Sequence, residues 1–149
     1  MTGSTTTTVR PMTGADAERV AFLSGELGYP ATPDQIRARL LAMGANPESS
    51  ALVASNAEGR IQGWVHVYGR RHVESDGSAE IGGLVVDPAS RGQGIGRALL
   101  GAAESWARER GYGRVTLGSS TLRAEAHRFY ERLGYTIVKT QYRLQKPIR

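Results

Sequence analysis

The stretch Leu84-Val-Val-Asp-Pro-Ala-Ser-Arg-Gly-Gln-Gly-Ile-Gly-Arg-Ala-Leu-Leu100 carries the residues best placed to do chemistry. An apolar run leads into glycines at every second position, 92, 94 and 96, and an apolar helical pattern follows directly. A helix that opens on such a turn has unpaired N–H groups and a partial positive charge at its start, which together form an anion site. Glycines let the backbone approach a bulky anion without Cβ clashes, and Arg91 and Arg97 add fixed positive charge beside it. The spacing narrows the choice of anion. A dinucleotide fingerprint, G-x-G-x-x-G, needs glycine where Arg97 stands, and no acidic residue lies about 20 residues on to hold a ribose. The Gly-Lys-Ser/Thr of a nucleotide P-loop is also missing.

The elements that must position this turn follow from periodicity. Residues Thr6–Arg10 read as a short extended segment, and Thr13–Leu27 as an amphipathic helix with Ala17, Val20, Ala21, Leu23 and Leu27 on one face, stopped at Gly28. A second helix starts at Thr32 as N-cap, with Pro33 in its first turn, Gln35 at capping-box spacing, and Ile36, Leu40 and Met43 as its buried stripe. The period then falls to two. Strands are predicted over Ala51–Ser55, Ile61–Val73 and Ala79–Asp87, with Asp76-Gly77 as a hairpin turn and Pro88 as a stop. Gly94–Arg110 is a helix presenting Ile95, Leu99, Ala102, Ala103 and Trp106 and ending at Gly111. Val115–Leu117 is a strand, and Ala126, Phe129, Tyr130 and Leu133 share a helical face that ends at Gly134. Two short strands are expected around Thr136–Lys139 and Gln141–Gln145. The result is a mixed α/β layered domain whose Glu80–Leu117 segment is a strand–helix–strand crossover.

Composition sets the outer limits. The chain has 149 residues, no cysteine and a net charge of +5. That length fits one domain with a real core. The lack of cysteine excludes disulfides, thiolate metal sites and a cysteine nucleophile, and is compatible with a reducing cytosol. Lys and Arg are scattered rather than blocked, which argues against nucleic acid. No apolar run reaches the roughly 18–20 residues of a membrane span, and Met1–Thr8 has no signal-peptide regions. Residues 1–8 are expected to be a disordered tail, residues 9–149 the folded domain, and the location cytoplasmic. His66, His72 and His127 lack metal-ligand spacing and are expected to make surface or local hydrogen bonds.

In its strand–turn–helix setting, R-x-x-G-x-G resembles the coenzyme A pyrophosphate signature of the GNAT superfamily of N-acetyltransferases. The neighbouring Leu-Val-Val-Asp-Pro and Ile-Gly-Arg-Ala-Leu-Leu resemble it too. A second landmark, Arg123-Ala-Glu-Ala-His-Arg-Phe-Tyr-Glu-Arg-Leu-Gly-Tyr135, is similar to the family's helix bearing Phe-Tyr followed by Leu-Gly and an aromatic. The resemblance implies a central, mostly antiparallel sheet of about 6–7 strands flanked by about 4 helices, with acetyl-CoA as co-substrate. By that resemblance, backbone N–H groups of Gln93, Gly94, Ile95, Gly96 and Arg97, beside Arg91 and Gly92, cradle the pyrophosphate. The backbone of Leu84, Val85 and Val86 pairs with the pantetheine arm like an added strand.

The resemblance also implies catalytic groups. Expulsion of a thiolate with a thiol pKa of about 8.5 is helped by a phenol of pKa about 10 at hydrogen-bond distance, and Tyr130 occupies the family's general-acid position. A base is needed because the acceptor amine is protonated at neutral pH. Glu80, eleven residues before Arg91, resembles the glutamate base of the histone acetyltransferase branch, acting directly or through water. Strand alternation places Glu80 with Gly82, Leu84 and Val86 on one face unless a bulge intervenes at Gly82-Gly83. An N–H around Leu84–Val86 is positioned to polarise the thioester carbonyl, with direct transfer and no covalent enzyme adduct. Glu26 and Tyr29 fall in the part of the family fold that shapes the acceptor site. Arg123 falls near the cofactor, and His127 lies in an Ala-His-x-Phe-Tyr string resembling aminoalkylphosphonate-acetylating relatives.

The expected acceptor is a small-molecule amine. Acetylation of a protein N-terminus or lysine stands beside it, as does a non-catalytic CoA-binding sensor, and dimers are common in such folds.

Overall fold

The computed structural model describes residues 6–149. Of the tail expected over residues 1–8, the first five positions lie outside the described residues. Thr8 does not continue a tail: it opens strand β1 (Thr8–Pro11), where it pairs with Ser55. The chain then forms α1 (Ala17–Glu26), α2 (Pro33–Gly44), β2 (Ser49–Ser55), β3 (Ile61–Arg70), β4 (Ser78–Val86), α3 (Ile95–Glu109), β5 (Val115–Leu117) and α4 (Ala124–Arg132). Short 3₁₀ turns at Gly14–Asp16 and Pro88–Ser90 precede α1 and α3. The elements divide into two units after Leu117.

The first unit is a five-stranded sheet in the order β1-β2-β3-β4-β5. Its neighbours are antiparallel except for β4 and β5, which are parallel. This is the relation a strand–helix–strand crossover through α3 requires. Beneath α1 and α2, Ala17, Val20, Ala21, Leu23 and Ile36 pack with Val53, Ile61 and Val85 from the sheet. On β3 and β4 lies α3, burying Ile95, Leu99, Leu100, Ala103 and Ala107. The expected stripe of α3 thus shifts by part of a turn. Leu100 and Ala107 are buried where Ala102 and Trp106 were expected, and Trp106 instead stacks on Tyr112 at the helix end. The β3–β4 connection runs over residues 71–77, longer than a two-residue hairpin, so β3 stops at Arg70 rather than Val73.

Both front helices are started by side chains. Thr32 Oγ1 accepts from the Gln35 N–H at 3.1 Å, and Gln35 Oε1 accepts from the Thr32 N–H at 2.9 Å, the reciprocal box the sequence announced. Before α1, buried Asp16 accepts two guanidinium N–H bonds from Arg10 at 2.8 and 2.9 Å and the Thr13 N–H at 2.8 Å. This ties β1 to the first helix.

The second unit contains α4, which has no fully buried residue. Its chain turns at Gly134 (φ 95°), where the Tyr135 N–H bonds the Tyr130 carbonyl at 3.1 Å. The two strands expected at Thr136–Lys139 and Gln141–Gln145 are not formed, leaving five strands among the described residues instead of 6–7. Ile137, Val138, Tyr142 and Leu144 are all largely exposed. Apolar character alone does not hold a strand, which persists only where a ladder partner satisfies its backbone.

The Arg10 hydrogen bonds hold the Asp16 carboxyl below the usual aspartate range, against the opposing effect of burial. A depressed folded-state value means the stabilisation is complete above the unfolded value of about 3.9 and is lost as pH falls through the folded one. Asp16→Asn is therefore expected to lower the unfolding free energy by about 1–3 kcal/mol at neutral pH. The gap from the parent protein should close below about pH 4, as read by urea unfolding across pH.

Candidate active site

Strand β4 meets its two neighbours unequally. Along β3 it is paired from Ser78 to Val86, but β5 pairs only with Ala79, Glu80 and Ile81. Beyond Ile81 the β5 ladder stops, and the β4 backbone continues to Val86 without it. The register also slips there. Val67 pairs with Ile81 while His66 pairs with Gly83, leaving Gly82 as an extra residue. A Cβ on Gly82 would lie 2.8 Å from His66 Nδ1, and one on Gly83 would lie 2.9 Å from the Trp64 ring. Both glycines therefore face the same side, and the alternation inverts. Glu80 shares a face with Tyr68, His66, Trp64 and Val85. Leu84 and Val86 lie on the opposite face, with Val65 and Gly63 across from them. This corrects the uninterrupted alternation that grouped Glu80 with Leu84 and Val86.

The turn after β4 is fastened to β3. The Asp87 N–H donates to the Gln62 carbonyl at 2.8 Å, and the Asp87 carboxylate takes Arg19 at 2.6 Å and the Ala89 N–H at 3.0 Å. Buried Gln62 donates from Nε2 to Ser90 Oγ at 3.2 Å and, more distantly, toward Gln93 Oε1 at 3.5 Å. Gly92 (φ 80°) and Gly94 (φ 79°) are left-handed, a conformation that side-chain-bearing residues resist. Gly94 caps α3, whose first ladder bond runs from the Ala98 N–H to the Gly94 carbonyl at 3.0 Å. The N–H groups of Ile95, Gly96 and Arg97 precede that ladder. Ile95 is 1% exposed and anchors the helix start, while Arg91, Gly92, Gln93, Gly94 and Arg97 are exposed. A helix start with unladdered N–H groups thus opens on an exposed turn, with exposed Arg91 and Arg97 close by in the chain.

Glu80 is held by three donors: Arg70 at 2.8 Å, Tyr68 at 3.1 Å and Thr116 at 3.2 Å. The same bond to Glu80 raises the Arg70 pKa above its ordinary value. The neighbouring row of Trp64, His66 and Tyr68 was not predicted as part of a site. Period-two alternation of three rings on β3, opposite a glycine pair on β4, is the signal that was available.

Comparison with known proteins decides the class. The sequence profile of the acetyltransferase (GNAT) family matches residues 18–135. The chain belongs to the GNAT family. It is 36% identical over 115 residues to the aminoalkylphosphonate N-acetyltransferase of Salmonella typhimurium, covering 76% of this chain and 71% of that protein. It is 31% identical over 132 residues to an aminoglycoside N(6')-acetyltransferase type 1 of Stenotrophomonas maltophilia, covering 86% and 85%. An aminoglycoside N-acetyltransferase solved in complex with CoA shares the fold, with a TM-score of 0.86 at 17% identity over 99% of both chains. This GNAT chain is accordingly an acyl-CoA N-acyltransferase with acetyl-CoA as its co-substrate.

The remaining predicted residues of the GNAT chain fall as follows. Tyr130 lies on α4 in the second unit, half-buried, with edge-on contacts to Phe129 (5.3 Å) and Tyr135 (6.0 Å). Arg123 is the α4 N-cap residue, and His127 Nε2 bonds the Ser120 carbonyl at 2.8 Å, a local role as expected. Glu26 ends α1 and Tyr29 follows it, both exposed. Glu80, the Leu84–Val86 backbone and the turn at residues 91–97 all belong to the first unit.

Two glycines of α3 should respond oppositely to alanine. Gly94→Ala forces a side chain into left-handed backbone and should cost about 1–2 kcal/mol. Gly101→Ala, mid-helix with open space around it, should gain about 0.5–1 kcal/mol. Urea unfolding of the two single variants measures both signs.

Proposed function

We propose that this GNAT enzyme transfers the acetyl group of acetyl-CoA to the primary amine of a small molecule, within one catalytic domain running over residues 9–149. The observation that carries the reading is the glycine turn opening α3, next to a β4 edge that β5 leaves unpaired. In this reading the N–H groups from Gln93 to Arg97 bind the pyrophosphate, flanked by Arg91 and Arg97. The Leu84–Val86 backbone pairs with pantetheine in the manner of an added strand. A β4 N–H at that stretch polarises the thioester carbonyl as oxyanion charge develops.

The amine attacks directly and forms a tetrahedral intermediate. Tyr130 then protonates the departing sulfur. The oxygens of Glu80 are already taken up by Arg70, Tyr68 and Thr116, so the base role expected for it would need a water to carry the proton and one of those bonds to give way. The small-molecule acceptor is supported by the curated relatives, which are named for acetylating aminoalkylphosphonates and aminoglycosides.

The test is thiol release from acetyl-CoA against polyamines, aminoglycosides, aminophosphonates, amino acids and peptides with free N-termini or lysines. The chain has no cysteine, so a thiol reagent sees only product. Turnover should appear with a small-molecule amine. Tyr130→Phe should lower kcat about 100-fold or more while leaving the acetyl-CoA Kd unchanged. Turnover confined to peptides moves the acceptor to protein, and failure to bind acetyl-CoA refutes the reading.

A further inference from the structure

We propose that His66 is the base that takes the proton from the acceptor amine. The inference rests on the reading of this protein as an amine acetyltransferase and adds to it a residue on β3. His66 pairs with Gly83 across the ladder, and its ring lies against the β4 bulge, with Nδ1 2.8 Å from where a Cβ on Gly82 would stand. Gly82 is exposed and Gly83 half-buried, so on β4 the imidazole faces a glycine pair without side chains, next to the stretch along which the thioester is proposed to lie. Any side chain at Gly82 would block that approach.

Ser49 is placed to select a usable tautomer. Nε2 lies 2.9 Å from Ser49 Oγ on β2. With Nε2–H donating to that hydroxyl, Nδ1 keeps its lone pair toward the bulge, and among the described residues the ring's recorded hydrogen bond is the one to Ser49. Burial lowers the imidazole below its ordinary value, so at neutral pH the unprotonated, proton-accepting form dominates.

The groups around the ring leave it this task. On β3, Tyr68 sits with ring centroids 5.3 Å away, its hydroxyl bound to Glu80. On β4, the Glu80 carboxylate accepts from Arg70, Tyr68 and Thr116. From α2, Arg37 lines the same groove as Ser49 and is paired with Asp34 at 2.9 Å. Of the two titratable acceptors on this face, the imidazole presents a lone pair and Glu80 presents oxygens that already hold three donors.

The step balances as follows. Nδ1 removes one proton from the ammonium group, giving imidazolium and a free amine. The amine nitrogen forms a bond to the thioester carbon, and the C–S bond breaks as the intermediate collapses. The nitrogen loses its second proton in that collapse, matching the one the sulfur gains. Imidazolium returns its proton to solvent, so the net reaction releases one proton.

The wild-type protein is first run on the amine panel, since no turnover there removes the acetyltransferase reading and this proposal with it. Given turnover, His66→Ala and His66→Gln should each lose about 100-fold in kcat with the acetyl-CoA Kd unchanged, which also shows the variants are folded. The acidic limb of kcat/KM, expected below the ordinary histidine value of about 6.5, should vanish in both. Added imidazole should restore part of the activity of H66A, an outcome a packing role does not produce. Ser49→Ala, which frees the tautomer while leaving the ring, should lose about tenfold, a small part of a typical acid–base contribution. If H66A does not fold, H66Q and S49A carry the test. Wild-type kcat and an unchanged acidic limb in H66Q, or loss of the limb in Glu80→Gln instead, overturns the proposal.

Discussion

A single extra residue on one strand governs much of this molecule. β4 has to satisfy β3 along its whole length and β5 for only three residues. Gly82 is where the two requirements part. A backbone group left without a ladder partner is costly if buried and available if a ligand reaches it. Ending the β5 ladder at Ile81 therefore creates an edge suited to an extended, amide-bearing molecule, and the bulge sets which side chains surround it. Only glycine fits at Gly82 and Gly83, because the His66 and Trp64 rings occupy the space a Cβ would need.

The same strand delivers the glycine turn, and β3 anchors it. The Gln62 backbone holds Asp87, its side chain reaches Ser90 and Gln93, and Asp87 in turn takes Arg19 from α1. A left-handed pair of glycines would otherwise be free to move, so this bracing from β3 fixes the direction in which the N–H groups of the helix start point. Two buried polar atoms on β3, Gln62 Oε1 and Trp64 Nε1, have no hydrogen-bond partner among the described residues. Each carries a desolvation cost of about 1–3 kcal/mol, and both belong to the strand that borders the turn and the bulge.

Much of this was legible in the residue order. The period of α1, the capping box at Thr32 and Gln35, and the crossover that makes β4 and β5 parallel all follow from local rules that tertiary packing did not override. The glycine turn that opens α3 was legible because glycine spacing and the following helical face agree. Face assignment on β4 was not, because an inserted residue reverses alternation and the sequence shows only a glycine pair that permits it. His66 was read as a locally bonded histidine, and it is one, through Ser49. Its place beside the bulge depends on a pairing register that no single strand encodes. At the other end, Ile137, Val138, Tyr142 and Leu144 look like strand residues, yet their exposure shows that apolar character without a ladder partner does not make a strand.

The Glu80 environment shows how charge and proton chemistry are separated on one face. Arg70 is nearly half exposed, whereas Glu80 is 13% exposed, so the pair holds a carboxylate under the surface with its cation toward solvent. For Glu80 to accept a proton, it would have to weaken a charge-assisted bond of 2.8 Å and leave Arg70 without its counter-charge. The carboxylate is thereby committed to Arg70, Tyr68 and Thr116. Burial acts on the imidazole of His66 and holds it below its ordinary value. A ring bonded to Ser49 through one nitrogen keeps the other for a proton, a condition that a carboxylate held by three donors does not meet.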